Sequence, residues 1–265
     1  MRLLLALLLM LLSLPWASLA QMPPPLVQPG MLFVDLARPV NRLAPLNAGL
    51  VGWWLALPGL NESGSTFRDI SWNKVHGTLT AMALPGTSTS GWWTQLRRGG
   101  WPRGLQFDGT DDYVALGTTP AVLSITGPVT VSAWFRIATA QTARLVYAGL
   151  AGNATVYEYS ISLNVTPRLS IGWGGTTAIT TSTTTLSTNT WIHVVRTRTG
   201  STGAWTGNIY INGKLDISGA TAINPAAGTE LRFGSRTGGT SFYTSQRRNK
   251  QTKGRTCPIW LILKS

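Results

Sequence analysis

The sequence predicts an all-β fold, a two-sheet antiparallel β-sandwich, on three observations. Charged residues make up only 12% of the 265 residues, while glycine (29) and tryptophan (12) are abundant, a balance that disfavours both intrinsic disorder and helix bundles. From residue 105 onward, apolar and polar residues alternate in short segments separated by turn residues, as in half-buried strands. No sustained helical periodicity occurs beyond the first 20 residues. The length is sufficient for one large sandwich.

The first 20 residues predict a signal peptide. Arg2 supplies a positive start, residues 3–14 form an apolar run broken only by a serine, and Ser18 and Ala20 place small residues at the −3 and −1 positions of a cut before Gln21. The run is shorter than the roughly 20 residues that span a bilayer. We therefore expect cleavage before Gln21, a secreted or extracytoplasmic location, and no transmembrane segment in the mature chain.

Strands are predicted between residues 49 and 234. Residues 21–46 are Pro-rich and predict an extended lead-in, and residues 47–236 are assigned to the sandwich. Residues 129–137 alternate at period two over nine positions, which makes them the clearest strand, with one side toward a core. The predicted strands span residues 49–55, 105–107, 112–116, 129–137, 145–150, 156–163, 169–173, 191–197, 209–211 and 231–234.

Two turns predict β-hairpins within this region. The sequence DGTD at residues 108–111 separates the segments 105–107 and 112–116. Asn212-Gly213 follows a third strand-like segment. An Asn-Gly pair is the stronger signal, because both central residues of the favoured two-residue turn adopt positive φ.

Six segments, taken in order, resemble one known family. They are GLVGWW at 49–54, HGTL at 76–79, LQFDGTDDYV at 105–114, VTVSAWF at 129–135, WIHVV at 191–195 and IYINGK at 209–214. Together they are similar to the laminin-G-like jelly-roll domains of the concanavalin A-like lectin/glucanase superfamily. The resemblance covers residues 49–234 and implies two antiparallel sheets packed face to face, with carbohydrate or protein binding as the usual role. It also implies that some relatives bind calcium and that some distant ones are glycosidases.

The C-terminal segment departs from the family pattern, in which such domains usually end with an Asp-containing strand. Here the chain carries RRNKQTKGR at residues 247–255 and its only cysteine at residue 257. We interpret residues 237–265 as a basic, atypical tail, frame-shifted or disordered, so that the sandwich lacks its last strand and exposes an edge. Six basic residues among the last 19 contribute to the formal net charge of +13. This concentration at one end argues against a nucleic-acid partner.

The sequence predicts no catalytic site. The glucanases of this superfamily place carboxylates at alternate positions of one strand, and a retaining mechanism needs two carboxyl groups about 5 Å apart. The glutamates here are Glu62, Glu158 and Glu230, and none has an acidic partner at that spacing. A single cysteine with His76 and His193 excludes a four-ligand zinc site of the usual kind. No nucleophile elbow or phosphate loop occurs either.

Three tryptophans are candidate ligand-binding residues. Trp92, Trp93 and Trp101 lie in a Gly-rich loop region. Exposed aromatic rings stack on sugars or form hot spots of protein interfaces. The alternative is that these rings close the open end of the sandwich. His193, which lies in a predicted strand, is interpreted as a hydrogen-bonded structural histidine.

Asp108, Asp111 and Asp112 are the candidate calcium ligands. Asp-rich turns hold Ca²⁺ with help from backbone carbonyls. The alternative is that Asp108-Gly109 is a plain turn whose side chain bonds its own backbone. Calcium is the one cofactor that the sequence suggests.

The function predicted from these observations is that of an exported, non-catalytic binding module that recognises carbohydrate or a cell-surface component. An adhesion or structural module that contacts a protein partner is the first alternative. A glycan-cleaving enzyme is the second. Binding specificity in such sandwiches resides in their loops, so the sequence does not name the ligand.

Overall fold

The computed structural model describes residues 48–56, 64–84, 86, 90–92, 104–118, 121–149, 157–174, 176–228, 230–235, 243 and 260–264. All of them belong to one compact unit, Arg38–Ser265. The predicted signal peptide and the Pro-rich lead-in lie outside the described residues. Among the residues that are described, no helix has the length and apolar character needed to cross a bilayer.

The described residues form sixteen strands and one 3-10 turn, Ala121–Leu123. The strands are β1 (Leu50–Leu55), β2 (Thr66–Phe67), β3 (Gly77–Thr80), β4 (Gly91–Trp92), β5 (Leu105–Gln106), β6 (Tyr113–Thr118), β7 (Val129–Phe135), β8 (Ala143–Gly149), β9 (Tyr157–Leu163), β10 (Leu169–Gly174), β11 (Thr176–Thr181), β12 (Ile192–Ser201), β13 (Ala204–Ile211), β14 (Lys214–Thr221), β15 (Glu230–Phe233) and β16 (Trp260–Lys264).

Two antiparallel sheets enclose the hydrophobic core. The six-stranded sheet has the order β1-β16-β7-β12-β13-β14, and the eight-stranded sheet has the order β11-β10-β9-β8-β15-β6-β3-β2. The core draws on both sheets, since Val131 and Val194 come from the first and Val114, Ile161 and Phe233 from the second. A separate pair joins β4 and β5. The predicted all-β, two-sheet antiparallel sandwich is therefore confirmed.

Strand β7 shows the alternation that the sequence predicts. Its burial alternates over all seven residues, so that Val129, Val131, Ala133 and Phe135 face the core. It pairs with β12 on one side and with β16 on the other. A strand with both edges paired and one face buried has its register fixed by the hydrophobic pattern.

Strands β9 and β10 depart from the predicted alternation. Their core-facing residues, such as Ile161 and Ile171, are buried, but so are the intervening Ser160, Ser162 and Ser170. Two of these hydroxyls have partners: Ser160 donates to the carbonyl of Gly172 at 3.3 Å, and Ser170 bonds the hydroxyl of Thr181 at 2.8 Å. Small hydrogen-bonded serines tolerate burial that larger polar side chains do not, which is why their polarity was misleading.

One of the two predicted hairpins is confirmed and the other is wrong. Asn212 and Gly213 have φ values of 50° and 82°, and they connect β13 to β14. In contrast, β5 pairs with β4, whereas β6 pairs with β3 and β15. The turn at residues 108–111 thus leads from one sheet to another instead of closing a ladder.

The C-terminal residues form a strand of the six-stranded sheet, although the sequence predicted that the last strand is missing. Strand β16 lies between β1 and β7 and pairs antiparallel with both, so that Ile262 is opposite Trp53 on one side and Ser132 on the other. The expectation of a missing last strand is therefore wrong, and the sandwich does not end at residue 236. Residues 236–242 and 244–259 lie outside the described part of the chain.

Two arginines lie inside the sandwich, where hydrophobic residues are expected. Arg196 and Arg198 occupy alternate, core-facing positions of β12, and both are fully buried. Their guanidinium carbons lie 5.5 and 5.6 Å from the ring of Trp173 on β10. Arg198 also lies 5.3 Å from the ring of Trp205. These cation–π contacts connect the two sheets.

Candidate functional site

Trp92 is a core residue. Its ring is 1% exposed, packs edge-on against Phe67 at 5.9 Å, and donates from Nε1 to the carbonyl of Gly64 at 2.8 Å. A ring in this position has no free face for a ligand, so the ligand-binding prediction is wrong for Trp92. The alternative, that the ring fills the sandwich, fits it. Trp93 and Trp101 lie outside the described residues.

The aspartate turn is held together by its own hydrogen bonds. Oδ1 of Asp108 accepts from the amide of Thr110 at 2.7 Å, and Oδ2 of Asp112 accepts from the amide of Asp108 at 2.9 Å. Oδ1 of Asp112 accepts from the hydroxyl of Ser90 at 3.0 Å, which ties the turn to the residue before β4. Burial raises the pKa of Asp112, and the charges of Asp108 and Asp111 add to that rise. These hydrogen bonds hold the segment before β6 close to the segment before β4.

The same three carboxylates provide a donor set that suits calcium. One oxygen from each of Asp108, Asp111 and Asp112 lies within 4.8 Å of the others, and the first two side chains are exposed. Calcium takes six to eight oxygen ligands, including carbonyls and water. The hydrogen bonds above account for Asp108 and Asp112 without an ion. Calcium binding here stays a prediction of the sequence.

The calcium prediction is tested by thermal unfolding. With millimolar CaCl₂ the unchanged chain is expected to melt a few degrees higher, because a ligand that binds only the folded state stabilises it. Asp111→Ala is expected to abolish that rise, since it removes one of the exposed carboxylates. The control is the same concentration of MgCl₂. If neither protein responds to calcium, the site is excluded.

A second group of side chains lies on the outer face of the eight-stranded sheet, the face that points away from the six-stranded sheet. Leu79, Val114 and Phe233 face the core, so their strand neighbours point outward. The Arg232 surface is defined by these outward residues of the three adjacent strands β3, β6 and β15: Thr78, Thr80, Tyr113, Ala115, Glu230 and Arg232. Arg232 is directly opposite Ala115, which is opposite Thr78.

Arg232 is held in place by two neighbours on this face. Its Nε forms an ion pair with Oε1 of Glu230, two residues earlier on the same strand. Its guanidinium carbon lies 4.4 Å from the ring centre of Tyr113. The side chains of Arg232 and Glu230 are 17% and 11% exposed, so the pair lies partly beneath the surface. Such a geometry fixes the plane of the guanidinium.

Hydrogen-bond donors at the Arg232 surface remain open for a ligand. No described residue accepts a hydrogen bond from the two terminal nitrogens of Arg232. The second oxygen of Glu230 is buried and has no hydrogen-bond partner among the described residues. Because that oxygen is enclosed by protein, the groups that a ligand can reach are the two terminal nitrogens of Arg232. The surface can therefore bind a polar molecule through oriented hydrogen bonds.

Sequence reasoning missed this surface although part of the signal was present. Glu230 and Arg232 are two residues apart on a predicted strand, so they share a face. Tyr113 occupies the outward phase of its own strand. What the sequence does not contain is the pairing of β6 with β15, because the two strands are far apart along the chain.

The profile of the family Laminin_G_3, described as the concanavalin A-like lectin/glucanases superfamily, matches residues 108–246, just over half of the chain. The chain belongs to the concanavalin A-like lectin/glucanase superfamily. The sequence has no significant match among curated proteins.

Two solved structures align with most of this chain. A Trypanosoma rangeli sialidase in complex with sialic acid aligns with a TM-score of 0.55 and 18% identity, over 82% of this chain and 31% of the sialidase. Domain 4 of AbnA, a GH43 extracellular arabinanase from Geobacillus stearothermophilus, aligns with a TM-score of 0.49 and 16% identity, over 81% of this chain and 91% of that domain. The present chain thus spans about a third of the length of the sialidase. Its likeness to the sialidase concerns the fold alone.

Because the superfamily includes glucanases, the role of each described carboxylate matters. Asp69 fastens β1 to the segment after β2: its Oδ1 accepts from the amides of Trp53 and Ser71. Asp216 on β14 accepts from the amide of Thr183, beyond β11. Glu158 is fully buried and accepts from the hydroxyl of Ser124 and the amide of Gly228. These three carboxylates hold segments of the chain together.

Burial raises the pKa of Glu158 to about 7, against the lowering effects of the two hydrogen bonds and the charge of Arg198. Between about pH 4.5 and 7, Glu158 is therefore protonated in the folded state and ionised in the unfolded state. The contribution of this group to stability is fully present below pH 4.5 and is lost as the pH rises through 7.

Glu158→Gln is expected to remove this pH dependence. The free energy of unfolding of each protein is compared at pH 4.5 and at pH 8. Over that range the variant should gain up to about 3 kcal/mol relative to the original protein. Denaturant unfolding of both proteins at each pH measures it. The subtraction cancels other titrating groups, including His193, whose pKa burial lowers. Parallel pH profiles would contradict the assignment.

His193 is a hydrogen-bonded histidine, as predicted. Its Nε2 lies 2.8 Å from the hydroxyl of Ser132, and its ring stacks on Trp134 at 4.9 Å. The two rings are directly opposite each other on β12 and β7. At a separation equal to the spacing between strands, stacked rings stand on edge above the sheet. Each of the two rings therefore covers one face of the other.

Proposed function

We propose that this chain is an exported, non-catalytic carbohydrate-binding module whose ligand binds at the Arg232 surface. The observation that carries the proposal is the cluster of Tyr113, Glu230 and Arg232 on strands β6 and β15, in the interior of the eight-stranded sheet. Export rests on the signal-peptide pattern before Gln21.

The chemistry of the Arg232 surface suits a sugar. Sugars combine hydroxyl groups with apolar C–H faces, so their sites need oriented donors and acceptors beside an aromatic ring. Arg232 provides donors whose direction is fixed by Glu230, and Tyr113 provides the ring and a phenol hydroxyl. Thr78 and Thr80 add hydroxyls on the neighbouring strand. Tyrosine and arginine are also the side chains that dominate binding hot spots.

The proposal of a non-catalytic role rests on the carboxylates. Glu230 is paired with Arg232, and Asp69, Glu158 and Asp216 are engaged in structural hydrogen bonds. A retaining glycosidase needs two carboxyl groups free to act on one bond. Among the described carboxylates, Asp108, Asp111 and Asp112 lie close together, but Asp108 and Asp112 accept hydrogen bonds that hold their own turn, so we assign no catalytic pair to them. Release of reducing sugar from a polysaccharide by the purified chain would contradict this part of the proposal.

The binding proposal is tested with a glycan array followed by titration calorimetry on the full chain. We expect binding to at least one glycan class, and an affinity at least tenfold weaker for Tyr113→Ala, about 1.4 kcal/mol. The matched control is Tyr210→Ala, since Tyr210 lies on β13 of the other sheet and is also half-buried. Equal losses in the two variants would contradict the placement of the ligand at the Arg232 surface. A chain that binds no glycan at any calcium concentration would overturn the proposed function and favour a protein partner.

A further inference from the structure

We propose that the Arg232 surface selects a sugar that carries a carboxylate, and that Arg232 determines this specificity. The inference rests on the proposed function, because it names the ligand class of the same site. Three features of the surface lead to it.

The first feature is the orientation of the guanidinium. Glu230 engages Nε, and Tyr113 lies against the guanidinium at 4.4 Å. The end of the guanidinium opposite Nε carries the two terminal nitrogens, to which no described residue is bonded. Two parallel N–H groups at that end match the two oxygens of a carboxylate. A lysine ammonium has neither the plane nor the fork.

The second feature is the room in front of the arginine. On β8 Arg232 is opposite Tyr147, so the room lies toward β6, where its directly opposite neighbour is Ala115 and the next residue in that row is Thr78 on β3. Both side chains are small, and both retain solvent exposure. A sugar ring attached to the bound carboxylate can therefore approach the sheet beside Arg232, within reach of the hydroxyls on β3.

The third feature is charge. Among the outward residues of β3, β6 and β15 that form the surface, Glu230 is the acidic one, and it lies beneath the guanidinium at 11% exposure. A carboxylate at the opposite end of the guanidinium avoids it. A single described guanidinium suits one carboxylate rather than a densely sulfated or phosphorylated chain, which needs several cations.

The experiment compares matched pairs of sugars by calorimetry on the full chain. One pair is trigalacturonate and its carboxyl-reduced galactose trimer, and the other is 3′-sialyllactose and lactose. We expect the acidic member of at least one pair to bind at least tenfold more tightly than its neutral partner. This comparison on the unchanged chain does not depend on the folding of any variant. The two pairs also separate uronic from sialic acids as the source of the carboxylate.

Variants then assign the preference to Arg232. Arg232→Lys and Arg232→Gln are expected to reduce the preference for the acidic sugar to less than threefold, because both lose the planar fork. Arg168→Gln is the control, since Arg168 is an exposed arginine of the β9–β10 turn. A preference that survives Arg232→Lys, or a sulfated disaccharide bound as tightly as the carboxylated sugar, would show general electrostatics and overturn the inference.

The two proposals fail in different ways. If acidic and neutral members bind equally, the inference is wrong while carbohydrate binding stands. If no member of either pair binds and the array is also blank, the proposed function fails and the inference fails with it.

Discussion

Replacing Arg198 by methionine is expected to destabilise the domain by about 3–5 kcal/mol, whereas the same change at Arg196 is expected to be neutral or stabilising. The two residues lie on the same face of β12, two positions apart, and both are fully buried. They differ in their hydrogen bonds. Arg198 donates to the carbonyls of Ile125, Gly127 and Glu158.

Arg198→Met leaves those three carbonyls without their donor. Each buried acceptor that loses its partner costs about 1–3 kcal/mol, and the segment between the 3-10 turn and β7 loses its attachment to the core. At Arg196 the three side-chain nitrogens have no hydrogen-bond partner among the residues that the structure describes. Burial also lowers the pKa of Arg196 to about 9, which means that the fold disfavours its charged form.

Urea unfolding of the two variants measures this contrast. Because both replacements have the same chemistry and lie on the same strand, each serves as the control for the other. Equal destabilisation would show that the cation–π contacts with Trp173, which the two arginines share, outweigh the hydrogen bonds. That result would contradict the assignment of separate roles.

Deleting residues 260–265 is expected to unfold the domain or to make it aggregate. Strand β16 lies between β1 and β7, so its loss leaves two facing strand edges unpaired inside a sheet. Unpaired edges template association with other chains. Since the total stability of a domain is only about 5–15 kcal/mol, removal of an interior strand is expected to consume most of it.

The deletion is read out by circular dichroism and by light scattering. Its control is a deletion of Ser265 alone, which leaves the whole of β16 in place. Addition of a peptide that spans residues 258–265 is expected to restore soluble, folded protein. A truncated chain that remains soluble with an unchanged melting temperature would show that β16 does not close the sheet.

The parts of the fold that follow from local pattern could be predicted from the sequence. Strand β7 was predictable because its core-facing valines alternate with polar residues over one continuous stretch. The Asn212-Gly213 turn was predictable because its geometry depends on two adjacent residues. The superfamily was predictable because six such local segments occur in a fixed order.

The parts that depend on contacts between distant segments could not be predicted. The sequence WLILK has strand-like composition, but it follows a basic run, and nothing local indicates that it fits between β1 and β7. Trp92 lies in a Gly-rich region that suggested exposure, yet Phe67 and the carbonyl of Gly64 enclose its ring. The Arg232 surface needs the register of β15 against β6, which no local pattern encodes.

The central claim is that ligand contacts concentrate on the outer face of β3, β6 and β15. Nuclear magnetic resonance titration of the labelled chain with its best-bound glycan tests it most directly. The claim predicts that the amides of these three strands and the side-chain Nε of Arg232 shift together with one affinity. Shifts confined to the turn at residues 108–112, or to the face of the six-stranded sheet around Trp134 and Tyr210, would contradict it.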